Sequence, residues 1–200
     1  MSFEQTKYQI IRNAISYDLA NFCFNYLLLK RDAIKFMYDN NFIAENGMHG
    51  TWKDEQVPGV YSIYADHVME TLLVKTLPVM KEKTGLDLLP TYSYARVYEK
   101  GSILEKHKDR PSCEVSTTIN LGGDLWPIYV EGTKIDLNPG DMLIYSGCEL
   151  EHWREPFQGE LCGQVFLHYN HANGPFAKTN LYDKRPMLGI PKVNFSWFVS

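Results

Sequence analysis

The second half of the chain is a series of short segments with strand character, separated by turn residues. From Leu89 onwards, apolar and polar residues alternate in residues 91–98, 103–109, 113–121, 126–131, 133–137, 142–146 and 161–169. Gly122-Gly123, Glu131-Gly132 and Asn138-Pro-Gly140 interrupt the series with residues that favour turns. Short strands at this spacing predict an antiparallel sandwich or barrel.

The first half has helical periodicity. Ser16 is a good N-cap residue, and Asp18 would lie in the first turn, where the helix dipole favours a carboxylate. Apolar residues then recur at helical spacing up to about Tyr38, and a second helix is predicted over residues 62–83, kinked or split by Pro78. Two helices followed by many strands predict an α+β fold, mainly β, with the helices packed on one face of the β-core.

The remaining segments complete a single predicted domain over residues 1–200. A strand at residues 8–15 is expected at a sheet edge and, with the helices, makes up an N-terminal part at 8–85. The β-core spans residues 89–171, and 172–200 is predicted to wrap irregularly around it. The long connection at 39–60 is expected to be partly ordered or functional, because compact domains usually use shorter ones.

Composition narrows the class of protein. A formal charge of −4 argues against a general nucleic-acid binder, which normally has a basic surface. Cys23, Cys113, Cys148 and Cys162 have no C-x-x-C spacing, so reduced thiols are predicted. The polar N-terminus lacks an apolar signal core, and no stretch is long enough to span a bilayer. A cytoplasmic protein with no membrane or nucleic-acid partner is therefore expected.

A candidate metal site lies in the strand series. His107 and Asp109 are two residues apart on a predicted strand, so their side chains project to one face. One imidazole and one carboxylate supply two of the three protein ligands of a facial triad for non-haem iron(II). His152, on a loop after a predicted buried strand, is the candidate third ligand. The alternative is that His152 is an ordinary loop histidine.

An ordered set of features extends this pattern. Tyr98-x-x-Gly101-x-x-Leu-x-x-His107-x-Asp109 is followed by Thr-Ile-Asn120-Leu-Gly-Gly, Asn-Pro-Gly140-Asp, His152, Gly159 and Gln-Val-Phe-Leu-His-Tyr169. In order and spacing, residues 8–171 resemble the iron(II)- and 2-oxoglutarate-dependent dioxygenases of the prolyl-hydroxylase-like branch, which include small phage and bacterial members.

The resemblance has specific implications. It implies a double-stranded β-helix, or jelly roll, with a metal at its mouth held by His107, Asp109 and His152 as catalytic ligands. It implies Fe(II), 2-oxoglutarate and O2 as cofactor and cosubstrates, with succinate and CO2 as products. The implied substrate is a peptidyl residue of prolyl type or a small molecule, and its identity does not follow from the fold.

The chain departs from the family at the cosubstrate cation. Relatives usually hold the far carboxylate of 2-oxoglutarate with an Arg or Lys about ten residues after the distal histidine, where this chain has Leu161-Cys162-Gly163-Gln164. Arg154 is predicted to replace that cation, because a buried carboxylate needs a partner charge. The alternative is a solvent-facing arginine paired with Glu151 or Glu155. Arg96 is the other candidate, and is also a candidate substrate contact.

Further residues are assigned provisional roles. Tyr98 and Thr118 occupy positions that resemble cosubstrate contacts of the family, although Tyr98 is equally well explained by aromatic packing. Arg110 either positions substrate or forms an ion pair with Glu114 at a turn. Gln164 and His168 share one face of the last strand, and His168 is expected to be a core histidine.

Three classes of function remain open from the sequence. The first is an oxygenase, and the second is a cupin-like barrel whose metal serves a different purpose without oxygenase activity. The third is a binding module that kept the barrel and lost activity, which the missing cation near Cys162 favours. A zinc hydrolase fits less well, because catalytic zinc sites more commonly have other ligand sets. Residues 39–60, with Trp52 and Lys53-Asp54-Glu55, and the aromatic segment Phe195–Phe198 are candidate lids or packing elements.

Overall fold

A computed structural model describes residues 3–191 of the chain. The helices are α1 (Phe3–Thr6), α2 (Tyr17–Asp39), α3 (His67–Thr84) and α4 (Ala177–Asn180), with 3-10 turns at Pro111–Cys113 and Leu181–Lys184. The strands are β1 (Tyr8–Ile11), β2 (Tyr61–Tyr64), β3 (Leu88–Glu99), β4 (Leu104–His107), β5 (Val115–Gly123), β6 (Ile128–Val130), β7 (Thr133–Ile135), β8 (Met142–Tyr145), β9 (His152–Arg154) and β10 (Leu161–His171). No helix among these residues is both long enough and apolar enough to cross a membrane.

The strands form two antiparallel sheets. The larger sheet has six strands in the order β1-β8-β5-β10-β3-β2, and the smaller has four in the order β4-β9-β6-β7. The strand predicted at residues 8–15 is confirmed as an edge strand, because β1 pairs with β8 alone at the margin of the larger sheet, but it ends at Ile11. The predicted turn at Asn138-Pro-Gly140 is also present: Gly140 has φ 90°, and the Asp141 N–H donates to the Asn138 carbonyl at 2.9 Å.

The two long helices pack on the larger sheet, as predicted. Helix α2 begins at Ser16, whose hydroxyl accepts from the Leu19 N–H, and α3 begins at Asp66, whose carboxylate accepts from two backbone N–H groups. Contacts join α2 to β5 and α3 to β3 and β10. This packing encloses the main hydrophobic core, with Cys23, Leu27 and Leu73 fully buried in it.

The two sheets pack against each other through separate apolar clusters. One cluster combines Tyr98 and Phe166 of the larger sheet with Leu104 of the smaller, and another combines Ile128 with Tyr145. A cavity remains between these clusters. The fold therefore leaves a space between the sheets, and most of its wall is formed by strand residues of both.

The structure corrects several details of the sequence-based prediction. Residues 61–64 form a strand, and the second helix starts at His67 instead of residue 62. Pro78 lies inside this helix without splitting it. The tail contains the short helix α4 and a 3-10 turn, while Phe195–Phe198 lie outside the described residues. All four cysteines are free, as expected.

Candidate metal centre and its cavity

Three potential metal ligands converge between the sheets. Strand β4 ends at His107, Asp109 follows it, and β9 starts with His152, which is paired directly with His107. Asp109 Oδ1 lies 3.7 Å from His107 Nε2 and 3.5 Å from His152 Nε2. Ligand atoms about 2.1 Å from one metal at right angles lie about 3 Å apart, so a small inward adjustment would complete a facial set. His152 thus starts a strand and is not on a loop, which corrects the prediction.

Backbone carbonyls orient both imidazoles toward this point. The Nδ1 atom of His107 lies 2.7 Å from the Glu105 carbonyl oxygen, and that of His152 lies 3.0 Å from the Leu150 carbonyl oxygen. Carbonyl oxygens can only accept, so each Nδ1 carries the hydrogen and each Nε2 has a lone pair that can bind a metal. Metal-binding histidines are commonly oriented in this way.

Asp109 is held from its other side. Its Oδ2 atom lies 3.0 Å from the Ser116 hydroxyl, and its backbone N–H donates to the Gly147 carbonyl at 2.8 Å. A Cβ on Gly147 would overlap Asp109 Oδ2 and the Cys113 carbonyl oxygen. Glycine at this position therefore allows the close approach that directs Oδ1 to the histidines.

The protonation states suit metal binding. Burial, followed by the nearby His152, lowers the pKa of His107. For Asp109, burial raises the pKa, but its contacts with the neighbouring histidines, His152 first, outweigh burial and leave the pKa lowered. A neutral imidazole and an ionised carboxylate are the forms that ligate a metal. The donor set therefore fits a divalent iron centre.

A cavity of about 380 Å³ opens beside these ligands. Its walls come from both sheets and from the 39–60 connection, which was predicted to be partly ordered or functional. They consist of Asp54, Gln56, Tyr64, Tyr92, Tyr94, Arg96, Leu104, His107, Asp109, Arg110, Ile128, Tyr145, His152, Phe166 and His168. Trp52, the other notable residue of this connection, packs on the Tyr61 ring at 4.9 Å and is a packing residue.

Two residues of the 39–60 connection enter the cavity. The Asp54 carboxylate accepts from Arg96 Nη2 at 2.9 Å and from the Tyr94 hydroxyl. Gln56 spans the gap between Arg96 and the metal ligands: its Oε1 accepts from Arg96 Nη2 at 2.7 Å, and its Nε2 lies 2.9 Å from His107 Nε2. Arg96 therefore lines the cavity and has an acidic partner there, while its contact with a cosubstrate or substrate stays a prediction.

Arg154 lies deeper than the cavity. It is 1% exposed, its Nη1 donates to the Trp126 carbonyl oxygen, and its guanidinium lies 5.1 Å from the Trp126 ring centre. Its Nε and Nη2 have no hydrogen-bond partner, and burial lowers its pKa. The alternative of a solvent-facing arginine paired with Glu151 or Glu155 is wrong.

Tyr98 and Thr118 are also buried behind the cavity wall. Tyr98 packs edge-on against Trp126 at 4.8 Å and accepts a long hydrogen bond of 3.3 Å from Arg96. The Thr118 hydroxyl donates to Gln164 Oε1 at 3.0 Å. Tyr98 thus lies near Arg154, whereas Thr118 is engaged with the last strand. Their roles toward a cosubstrate stay predictions.

Arg110 lines the outer end of the cavity with a partner that the sequence did not indicate. Its two Nη atoms each donate at 2.8 Å to Asp183, which also accepts from the Tyr64 and Ser112 hydroxyls. The predicted ion pair with Glu114 is wrong: Glu114 instead accepts from Asn170 and from a backbone N–H.

His168 is both a cavity residue and a satisfied buried histidine. Its Nδ1 lies 2.9 Å from the Ser116 hydroxyl, and its ring lies 4.5 Å from that of Tyr92. Burial lowers the pKa of His168 to about 4, so the ring is neutral. Gln164, on the same face of β10, is buried and does not reach the cavity. Nothing in the sequence indicated Gln56, Ser116 or Asp183, because no local motif marks them, and Asp54 was indicated only as part of a candidate lid.

Comparisons with known proteins agree on the fold. No protein-family model and no curated protein matches the sequence significantly. Among solved structures, a Pseudomonas putida prolyl-4-hydroxylase is 15% identical over 82% of this chain and 92% of its own, with a TM-score of 0.59. HygX from Streptomyces hygroscopicus, with nickel, 2-oxoglutarate and hygromycin B bound, is 14% identical over 87% and 86%, with a TM-score of 0.62.

A third structure, EctD from S. alaskensis with bound Fe, is 13% identical, covers 94% of this chain and 80% of its own, and has a TM-score of 0.60. At identities this low, the structural similarity establishes the shared fold alone. The three ligand candidates lie between two antiparallel sheets of that fold, and the predicted resemblance is confirmed at this level. The chain has the fold of the 2-oxoglutarate- and Fe(II)-dependent oxygenases, with prolyl hydroxylases among its structural neighbours.

Proposed function

We propose that this protein is an Fe(II)- and 2-oxoglutarate-dependent dioxygenase that hydroxylates a peptidyl residue of prolyl type or a small molecule, releasing succinate and CO2. The observation that carries the proposal is the convergence of His107 Nε2, Asp109 Oδ1 and His152 Nε2, all within 4.8 Å of one another. Two imidazoles and one carboxylate on one side of a metal leave positions open for 2-oxoglutarate and O2. The two sheets would be the two faces of a jelly-roll core in a single domain.

The chain's own residues have distinct tasks in this proposal. His107, Asp109 and His152 hold the metal, while Ser116 and two backbone carbonyls fix their orientation. Leu104, Ile128 and Phe166 supply apolar wall, which keeps water from the reacting groups. When bound, iron and 2-oxoglutarate supply the oxidising chemistry with O2 that a protein side chain cannot.

Arg154 is the proposed partner of the far carboxylate of 2-oxoglutarate. It lies two residues beyond His152 on β9, and no acidic side chain forms an ion pair with it among the described residues. A buried cation without a counter-charge is costly, and a ligand carboxylate would offset that cost. Its unpartnered Nε and Nη2 offer the two parallel donors that arginine uses toward carboxylates. Reaching it requires the side chains around Tyr98 to open the inner end of the cavity.

Anaerobic absorption spectroscopy tests the proposal. Addition of Fe(II) and 2-oxoglutarate is expected to give a weak metal-to-ligand band, and admission of air is expected to give succinate. His107→Ala and Asp109→Ala should lose bound iron, whereas His49→Ala, a matched change at an exposed histidine, should retain it. Iron binding without the band or succinate would favour the alternative of a cupin-like metal-binding barrel without oxygenase activity.

A further inference from the structure

Both arginines that line the cavity are already paired with carboxylates of the chain. The charged residues that line it are Asp54, Arg96, Asp109 and Arg110. Arg96 is paired with Asp54, and Arg110 with Asp183, which lies behind the wall. Asp109 belongs to the metal centre. Among the described lining residues, Arg96 and Asp54 are therefore the one oppositely charged pair in which both members border the cavity.

The proposed cofactors leave no net charge for a substrate to neutralise. The two charges of Fe(II) and the one of Arg154 are cancelled by Asp109 and the two carboxylates of 2-oxoglutarate. A substrate with a net charge would then sit in a buried space without a counter-ion, which is costly. A substrate without net charge is favoured, either wholly uncharged or carrying both signs.

Arg96 favours a substrate that carries both a positive and a negative charge. Its side chain is 5% exposed to solvent, and its Nε has no hydrogen-bond partner. Its Nη1 makes one long contact of 3.3 Å with the Tyr98 hydroxyl. A carboxylate that took the place of Asp54 at Nη2 could also accept from Nη1, which would give the two parallel donors that arginine uses toward carboxylates. If a substrate carboxylate replaced Asp54 as the partner of Arg96, Asp54 would need another cation, since a buried carboxylate without a partner is unfavourable.

The position and size of the cavity fit a small molecule of this kind. One glutamine side chain, that of Gln56, separates Arg96 from the metal ligand His107. The remaining wall is aromatic, including Tyr64 and Tyr92, whose rings stack at 5.0 Å. A volume of about 380 Å³ is near the lower end of ligand pockets, which span about 300–1,000 Å³, and here it must also serve 2-oxoglutarate.

We propose that Arg96 and Asp54 form the headgroup subsite for a free amino acid, whose carboxylate binds Arg96 and whose ammonium group binds Asp54. This inference rests on the proposed oxygenase function. It selects a free zwitterion over a peptidyl residue, because amide linkages would remove both charges that the subsite recognises. The headgroup would be fixed beside His107, and the rest of the molecule would lie along the aromatic wall.

Thermal unfolding of the protein loaded with Ni(II) and 2-oxoglutarate tests the subsite without turnover. The twenty free L-amino acids are added singly, and each is compared with its N-acetylated and its C-amidated form. At least one free amino acid is expected to raise the melting temperature, while both capped forms fail to do so. Arg96→Gln, Arg96→Lys and Asp54→Asn should each weaken that binding at least tenfold, and Lys53→Gln, an exposed neighbour on the same connection, should not.

The Fe(II)–2-oxoglutarate absorption band separates the two hypotheses. A band in the wild type, in Arg96→Gln and in Asp54→Asn, together with discrimination against capped amino acids, supports the subsite. A band without such discrimination overturns the subsite and leaves the oxygenase function standing. Loss of the band or of Ni(II) binding in Asp54→Asn would also overturn the subsite, because the pair would then be a structural closure of the cavity. If the wild type gives no band, both the subsite and the proposed oxygenase function are refuted.

Discussion

Replacement of Arg154 by methionine should have opposite effects on the free and the 2-oxoglutarate-bound protein. In the free protein the change removes a buried cation whose Nε and Nη2 have no partner. The dehydration cost of such an ion is several kcal/mol. Against this, the variant loses one hydrogen bond to the Trp126 carbonyl oxygen, about 1 kcal/mol, and a contact with the Trp126 ring, also about 1 kcal/mol.

The balance can be expressed as a shift in melting temperature. We expect the free variant to gain about 1 kcal/mol or more in unfolding free energy, which for a chain of this size corresponds to a rise of about 2–4 °C. Binding of 2-oxoglutarate should weaken, because the loss of one partner from a buried ion pair costs about 3–5 kcal/mol. That corresponds to a dissociation constant raised by about 100-fold or more.

Thermal unfolding of the Ni(II)-loaded protein over a 2-oxoglutarate titration measures both effects. Lys106→Met is the matched control, since it removes an exposed cation that lies over the Trp153 ring on the neighbouring strand. A variant at Arg154 that is less stable than wild type and still binds 2-oxoglutarate with wild-type affinity would refute the assignment. Arg154 would then be a structural residue, held by Trp126.

Three further outcomes are expected. Ser116→Ala should lower metal affinity about 10- to 100-fold in competition with a chelator, because it frees Asp109 Oδ2 from its partner. Gly147→Ala should also lower metal affinity, since the new Cβ overlaps Asp109 Oδ2. An unchanged metal affinity would show that the loop around Gly147 can shift to accommodate the Cβ. Asp183→Asn should cost about 1–3 kcal/mol at neutral pH, measured by denaturant unfolding, because a buried carboxylate that accepts from the half-exposed Arg110 becomes a neutral amide. Burial raises the pKa of Asp183, but its hydrogen bonds with Arg110, Ser112 and Tyr64 leave the pKa well below the ordinary value of about 3.9. The stability that Asp183 contributes is therefore complete above about pH 3.9 and should be lost as the pH falls from there toward the lowered pKa.

Most of the fold could be predicted from the sequence, because strands, helix caps and turns depend on neighbouring residues. Alternation, the Ser16 cap and the Asn138-Pro-Gly140 turn each act within a few residues. Strand β2 was missed because Tyr61–Tyr64 run into the N-cap at Asp66, so the apolar spacing looked like one longer helix. The short strand gains its conformation from pairing with β3, and tertiary pairing of this kind leaves little trace in a single segment.

The pair His107 and Asp109 of the candidate metal centre was predictable for the same reason, and its surroundings were not. His107 ends β4 and Asp109 follows two residues later, so their proximity follows from local geometry. Asp54 reaches Arg96 across 42 positions of the chain, and Asp183 reaches Arg110 across 73. These partners are brought together by the path of a connection and of the C-terminal segment, for which no periodic pattern exists. Arg154 was assigned from its spacing to His152, but its complete burial required the structure.

The contact between Gln56 and His107 couples the 39–60 connection to the metal. Gln56 Nε2 donates to the same nitrogen lone pair that a metal would use, so the two interactions exclude each other. By reciprocity, metal binding must weaken the attachment of this connection as much as the attachment weakens metal binding. Hydrogen exchange at the amides around Gln56 should therefore speed up as metal is added, and Gln56→Ala should bind metal more tightly than the wild type. The connection would then compete with the metal for His107, and its exchange rate would report on metal binding.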